Sequence, residues 1–279
     1  MSEILETLAM LSVLVFVISS MLSMGLSLTT KQIVEPLKDT KLVVLALVAN
    51  FILVPIMAYA LTILLSLDES LSIGLILVSM AAGAPFLPKL VEVAKGNTPF
   101  SVGLMVLLMV VTIVYLPLVL PLVLTGVEVN PLDIARSLII MMLIPLAIGL
   151  FIKARYEDAA EKIRPTFASA SNIAILALIV LGVVLNFESM IALVGSRGLL
   201  AAALFVAGAL LAGYLLGGKD RSIKSVMALG TGQRNISAAL VVAAQNFDSD
   251  VITFVLVFSI IGFIVLFPAA GELGKRSGE

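Results

Sequence analysis

Long apolar runs separated by short polar breaks dominate the chain, and most runs have the roughly twenty residues that a helix needs to cross a hydrocarbon core of about 30 Å. Nine runs are legible: Glu6–Leu28, Lys41–Leu65, Leu71–Val93, Thr98–Leu124, Asp133–Lys153, Phe167–Phe187, Leu199–Leu216, Lys224–Phe247 and Val251–Leu273. Within them the apolar positions are continuous, whereas the strands of a membrane barrel alternate and are only about ten residues long. The pattern therefore predicts an all-α integral membrane protein of about nine transmembrane helices. The connections are too short for a second folded unit, so residues 1–279 are expected to form a single transmembrane domain. The first run carries Glu3 and Glu6 where a signal peptide has basic residues, and no small-residue cleavage site follows it, so it is expected to be an anchor.

Composition agrees with this reading. Hydrophobic residues make up 61% of the chain, charged residues 13%, and the mean hydropathy is +1.21. Soluble domains are about half apolar and about a quarter charged, so a water-soluble fold could not cover this much apolar surface. The net charge of −1 offers no field for nucleic acid. Cysteine and histidine are both absent, which removes disulfides, thiolate and imidazole metal ligands, Cys or His nucleophile pairs and histidine proton relays. Neither a metal centre nor an organic cofactor is expected, and most hydrolase chemistries are excluded.

Lysine and arginine are distributed unevenly over the connections. Those after odd-numbered runs hold thirteen: Lys31, Lys38, Lys41, Lys95, Lys153, Arg155, Lys162, Arg164, Lys219, Arg221, Lys224, Lys275 and Arg276. Those after even-numbered runs hold two, Arg136 and Arg197. Cytoplasmic loops carry the excess of basic residues, so the amino terminus is predicted outside a cytoplasmic membrane and the carboxyl terminus inside. Two basic residues, Lys89 and Arg234, are left over and fall within the membrane.

A shift of 149 residues lays the third run on the eighth, with Gly83 over Gly232, Ala94 over Ala243 and Asn97 over Asn246. Both runs are interrupted at matching depth, one by Gly83-Ala84-Pro85-Phe86-Leu87-Pro88 and the other by Gly230-Thr231-Gly232-Gln233-Arg234-Asn235. By the loop count they run in opposite directions, the signature of inverted repeats. Proline and paired glycines release a helix and leave backbone groups unpaired, which inside lipid is tolerated only where the break is buried in protein or lines a wet cavity. Two discontinuous helices, interrupted near the midplane, are thus expected.

Each break carries one cation. At a rise of about 1.5 Å per residue, Lys89 lies roughly 12 Å from Asn97 and Arg234 roughly 15 Å from Lys224, so both are deep in the membrane. A basic residue at such depth costs at least about 2.5–3.5 kcal/mol on insertion scales and must face a cavity or a counter-charge. Glu92, three positions beyond Lys89, is on the same helical face and makes an ion pair an alternative for Lys89. Arg234 has no local partner, which leaves anion recognition or bridging to backbone carbonyls. Asn50, Ser101, Asn235 and Ser237 are the polar residues at the same level, with Thr231 and Gln233 in the second break. Proton carriers, if coupling uses them, are expected to be Lys89 and Glu92.

Several segments together resemble the bile acid:sodium symporter family of secondary transporters. They are Met24-Gly25-Leu26-Ser27-Leu28 closing the first run, Asn50-Phe51 followed by Pro55, Lys95-Gly96-Asn97 followed by Ser101, and Gly232-Gln233-Arg234-Asn235. The resemblance runs over essentially the whole chain. It implies that the two discontinuous helices cross near the midplane, within a core of the runs at 41–65, 71–93, 98–124, 199–216, 224–247 and 251–273, moving against a panel of the runs at 6–28, 133–153 and 167–187. Relatives commonly have ten helices, and this chain resembles one lacking the first. Sodium-coupled members have a Ser-Asn pair at the first crossing where Leu87-Pro88 stands here, a glutamate where Gly230 stands, a threonine at Met105 and a glutamine at Arg234. The resemblance thus implies a site that is kept while its sodium chemistry is not, the fixed charges of Lys89 and Arg234 standing in for the ion.

The expected function is alternating-access transport of a small organic anion across the bilayer, with Arg234 and Lys89 binding the anion, Asn235 and Asn50 orienting it, and Gln233, Ser101, Ser237 and Thr231 completing the lining. A sodium-coupled symporter is the alternative within this class. A ligand-binding sensor, a channel or an intramembrane enzyme are alternatives outside it, and an enzyme would need placed acids where Glu92 is the single carboxylate well inside a run. The loop count is checked directly by fusions: a reporter active only in the cytoplasm should work after Glu279 and fail before Met1, and the reverse pattern would overturn the orientation.

Overall fold

The computed structural model describes residues 2–34, 38–124, 130–185 and 196–276, and every regular element among them is helical. We number the helices α1 (Ser2–Gly25), α2 (Thr30–Val34), α3 (Thr40–Leu64), α4 (Glu69–Met80), α5 (Leu87–Val93), α6 (Thr98–Val123), α7 (Pro131–Arg155), α8 (Glu157–Leu185), α9 (Gly198–Leu216), α10 (Arg221–Gly232), α11 (Ile236–Asn246) and α12 (Ser249–Arg276). Six of them, α1, α3, α6, α7, α9 and α12, are long and apolar enough to cross a membrane. Leu118, Leu122, Ile173 and Leu215 are each at least 62% exposed on helix exteriors, as expected of side chains that meet lipid.

Side-chain caps set most starts. Asp39, Asp68, Asn97, Asn130, Asp220 and Asn235 each accept a backbone N–H from the first turn of the following helix, satisfying donors that a helix start leaves unpaired. Two prolines shape the helix interiors. Pro55 and Pro145 have no N–H, and in each helix a π turn immediately precedes them, at Ala49–Leu53 and Ile139–Leu143. In both, the residue before the proline donates five positions back instead, Val54 to Ala49 and Ile144 to Ile139.

Two expected boundaries are corrected. The sixth run, predicted from Phe167, begins at Glu157, so Lys162 and Arg164 stand on α8 and not in a connection; the predicted end at Phe187 lies outside the described residues. Charge density marks here the polar collar of a helix, not a loop. Lys153 at the end of α7 holds Glu157 at 2.9 Å and Glu161 at 3.1 Å, and these pairs continue the helical face across the single residue Tyr156. The second correction concerns the eighth run. Helix α10 continues through Gly230, Thr231 and Gly232 and breaks only at Gln233, whose backbone is extended at φ −82, ψ 132. The glycines serve packing: a methyl on Gly232 would lie 2.8 Å from Leu210 Cγ. The third run breaks over Ala81–Phe86, where Gly83 turns the chain at φ +79 with Met109 backbone so close that no side chain fits.

Helix α1 packs along α7 and α8, while α9 packs against α3, α10 and α12, and α12 also against α4. The α1–α7 contact is backbone to backbone. A methyl on Gly149 would sit 2.7 Å from the Leu22 carbonyl oxygen and 2.8 Å from Gly25 Cα, an approach that small residues permit and that drives helix association in membranes. Gly149→Ala should therefore lower the thermal unfolding temperature of the purified protein, at a cost of about 1–3 kcal/mol. Gly271→Ala, where a methyl meets nothing within 4 Å, should not.

Candidate functional site

The two breaks lie against each other, and several of the backbone groups they free find partners across the junction. In the first, the Ala81 carbonyl accepts the Asn235 N–H at 2.8 Å, and the Gly83 carbonyl accepts Asn235 Nδ2 at 3.0 Å. Thr112 of α6 serves both groups of Ala82, its hydroxyl accepting the N–H at 3.0 Å and donating to the carbonyl at 3.1 Å. Asn235 is fully buried, and its Oδ1 caps α11 through Ala238 N at 3.1 Å. One side chain thus ends one break and fastens the other.

Arg234 joins the ends of the half-helices. Its guanidinium, 3% exposed, donates from Nε to the Val78 carbonyl at 3.2 Å, from Nη2 to the Ser79 carbonyl at 2.8 Å and from Nη1 to the Thr231 carbonyl at 3.1 Å. Those carbonyls belong to the last turns of α4 and α10, the negative ends of two helix dipoles. The fourth bond runs from Nη1 to Asn50 Oδ1 at 2.8 Å. Asn50 sits in the π turn of α3, fully buried, and passes its own Nδ2 to the Ala46 carbonyl at 3.0 Å and to Thr231 Oγ1 at 3.4 Å. The Phe51 carbonyl, deprived of its helical partner by Pro55, accepts the Tyr115 hydroxyl at 2.7 Å.

Beside this junction lies a cavity of about 500 Å³. Helices α1 and α8 contribute Ser20, Ser23, Arg164, Ser171 and Asn172, with Ser27 just past the end of α1; the rest of the lining includes residues 84–86, 232–234, Ile236, Ser237 and, from α12, Phe258, Phe263 and Leu266. Its lining comes from the last third of α1 and the first half of α8, so it lies in the half of the molecule nearer the basic connections. A larger cavity of about 800 Å³ is lined by the connections at that end, with Lys31, Lys41 and Lys219, and it touches neither break.

The structure sorts the expected site residues into three groups. Gln233, Arg234 and Ser237 line the cavity, and Gln233 Oε1 is enclosed without a hydrogen-bond partner. Asn50, Thr231 and Asn235 stand behind it in the junction, while Ser101 is buried with its hydroxyl on the Thr98 carbonyl at 2.7 Å. Lys89 and Glu92 do not join Arg234: the lysine side chain is 65% exposed and its ammonium lies 2.8 Å from the Glu92 carboxylate. Three participants went unread in the sequence. Thr112 and Tyr115 look like ordinary helix residues until the fold sets them against backbone groups left open by a break, and Arg164 was assigned to a loop.

Sequence comparisons bear on this arrangement. The model described as the Sodium Bile acid symporter family matches residues 14–193, more than half of the chain. The chain belongs to that family. Its members are transporters, not enzymes, and the protein is accordingly a multi-pass membrane protein of a transport family. Among similar proteins, the "Probable sodium/metabolite cotransporter BASS6, chloroplastic" of Arabidopsis thaliana is 24% identical over 88% of this chain and 64% of its own length. The "Probable sodium/metabolite cotransporter BASS1, chloroplastic" of the same plant is 23% identical over 92% of this chain and 65% of its own. The "Uncharacterized sodium-dependent transporter YocS" of Bacillus subtilis is 24% identical over 82% and 72% respectively. This family member thus spans a little under two thirds of the length of the plant relatives.

The junction makes a sharp demand on Thr112. Thr112→Val keeps the shape and leaves a buried N–H and a buried carbonyl of Ala82 unpaired, each costing about 1–3 kcal/mol. Thermal unfolding in detergent should show a marked loss. Thr253→Val, equally buried but with its hydroxyl on the Ser249 carbonyl of its own helix, should show almost none.

Proposed function

We propose that the chain is a secondary transporter of a small organic anion that works by alternating access at its two broken helices and does not require sodium. The observation carrying this reading is the cavity's charge: two guanidinium groups, Arg164 and Arg234, line it, and among the described residues no carboxylate does. Positive charge enclosed by low-dielectric walls selects an anion. The start of α11, Ile236 and Ser237, adds the positive end of a helix dipole to the same wall. The names of the relatives supply the transport of metabolites.

In this reading the six apolar helices, α8 and the two broken pairs make nine crossings, the pairs being inverted copies that cross near the midplane. Helices α1, α7 and α8 are the panel and the rest the core, and the cavity lies between the two. With the amino terminus outside a cytoplasmic membrane, the cavity opens to the cytoplasm, and rocking of the core past the panel would carry it to the other side.

Two observations support independence from sodium, against the names of the relatives. The oxygens that converge at the junction, from Asn50, Val78, Ser79 and Thr231, already hold a tethered cation. Where the family resemblance leads one to expect further oxygen ligands, the side chains are apolar: a methyl on Gly230 would lie 3.2 Å from Leu87 Cδ2 and 3.3 Å from Leu104 Cδ2, and Met105 is buried. A hard cation needs a full shell of oxygens, and the leucine side chains around Gly230 contribute none.

The test is uptake of radiolabelled pyruvate, succinate and taurocholate into proteoliposomes, with sodium replaced by potassium or choline at constant pH and voltage. At least one anion should enter saturably and at an unchanged rate without sodium. Uptake that collapses and returns in proportion to added sodium would sink the sodium-independent reading, and the absence of any saturable uptake would count against transport of anions.

A further inference from the structure

Two cations line the cavity, and their donors are differently placed. Of the five N–H groups on Arg234, four are spent on protein oxygens, in three of the cases backbone carbonyls at helix ends. A carboxylate reaching Arg234 would find at most one N–H, so the paired, forked contact that makes arginine a strong carboxylate ligand cannot form there. Its charge remains, as a field behind the cavity wall.

Arg164 is the converse. It is exposed toward the cavity mouth and, among the described residues, donates to no protein group and lies within ion-pair distance of no acid. Its natural partner would be Glu161, one turn earlier on α8. That carboxylate is drawn instead to Lys153, 3.1 Å away at the end of α7, together with Glu157 at 2.9 Å. The lysine thereby keeps both nearby acids away from Arg164. Further along α8, about 10–12 Å from Arg164 by helical rise, Ser171 and Asn172 line the cavity together with Ser20 and Ser23 of α1, and none of these four side chains has a hydrogen-bond partner among the described residues. A polar track with unfilled hydrogen-bonding capacity thus runs from Arg164 into the cavity.

We infer that Arg164, not Arg234, grips the carboxylate of the transported anion, and that Lys153 is the residue that keeps Arg164 free to do so. The inference rests on the anion-transport reading and assigns its recognition residue. Arg234 then serves as the positioning residue: it locks the two breaks in register and biases the cavity toward negative charge. Specificity for a planar, two-oxygen anionic group follows from the guanidinium fork, which an ammonium does not reproduce.

Purified protein is titrated with pyruvate, succinate and cholate, following thermal stabilisation and direct binding, for the wild type and for Arg164→Gln, Arg164→Lys and Lys153→Gln. Arg164→Gln should unfold at the wild-type temperature without ligand, since no protein contact is lost, yet bind the preferred carboxylate roughly ten- to hundredfold more weakly. Arg164→Lys should recover only part of that loss. Lys153→Gln, which releases Glu161 toward Arg164, should also weaken binding, although Lys153 itself is outside the cavity lining. Wild-type binding of a carboxylate that Arg164→Gln matches would overturn the assignment and leave anion transport standing. Wild-type failure to bind any of the three anions would overturn both.

Discussion

A polypeptide that breaks two helices in a buried apolar interior must find partners for the carbonyls at the broken ends, because apolar neighbours supply none. In this protein that demand falls largely on one guanidinium. Arg234 collects the last-turn carbonyls of α4 and α10 and the Asn50 amide of α3, and so binds three separate helices at one point. Burying an arginine alone would be costly, as would leaving three carbonyls open; together each offsets the other. The rest of the junction is arranged around it. Asn235 closes the first break from the second, Thr112 satisfies Ala82, and the π turn before Pro55 places Asn50 where its oxygen can accept.

A tethered cation differs physically from a bound ion. It cannot leave, so the oxygens of Asn50, Val78, Ser79 and Thr231 keep a covalently held partner. The apolar filling around Gly230 by Leu87 and Leu104 is consistent with that, since side-chain oxygens there would be unsatisfied without an ion. The same fixed charge faces a cavity that no acid among the described residues lines. A single residue thereby links the stability of the broken helices to the electrostatics of the space beside them.

Charges outside the junction are managed by neighbouring pairs. Lys89 meets Glu92 one turn on, at an exposed face, and Lys153 meets both Glu157 and Glu161 across the α7–α8 turn. Exposed pairs of this kind contribute little to stability. Their effect is on which charges are left over, and Arg164 is left over. Helix α1, which lines the cavity, is held by close backbone packing on α7 at Gly25 and Gly149.

Hydrophobic periodicity and run length determined the class of the protein, because the thickness of a bilayer fixes the length of an apolar helix and leaves few alternatives. The two breaks were also legible, since Pro85 and Pro88 and the polar stretch Gln233-Arg234-Asn235 cannot continue a helix in lipid without partners, although glycine content alone placed the second break too early. What Arg234 touches was not legible. Sequence gave a cation without a local acid, which fits a ligand or a set of carbonyls equally well, and only the approach of α4, α10 and α3 decided for carbonyls. Arg164 was read as loop charge because charged helix collars and charged loops have the same composition. Thr112 and Tyr115 carried no signal at all, since a hydroxyl in a membrane helix usually bonds its own backbone, and only tertiary packing puts these two against the open groups of other helices.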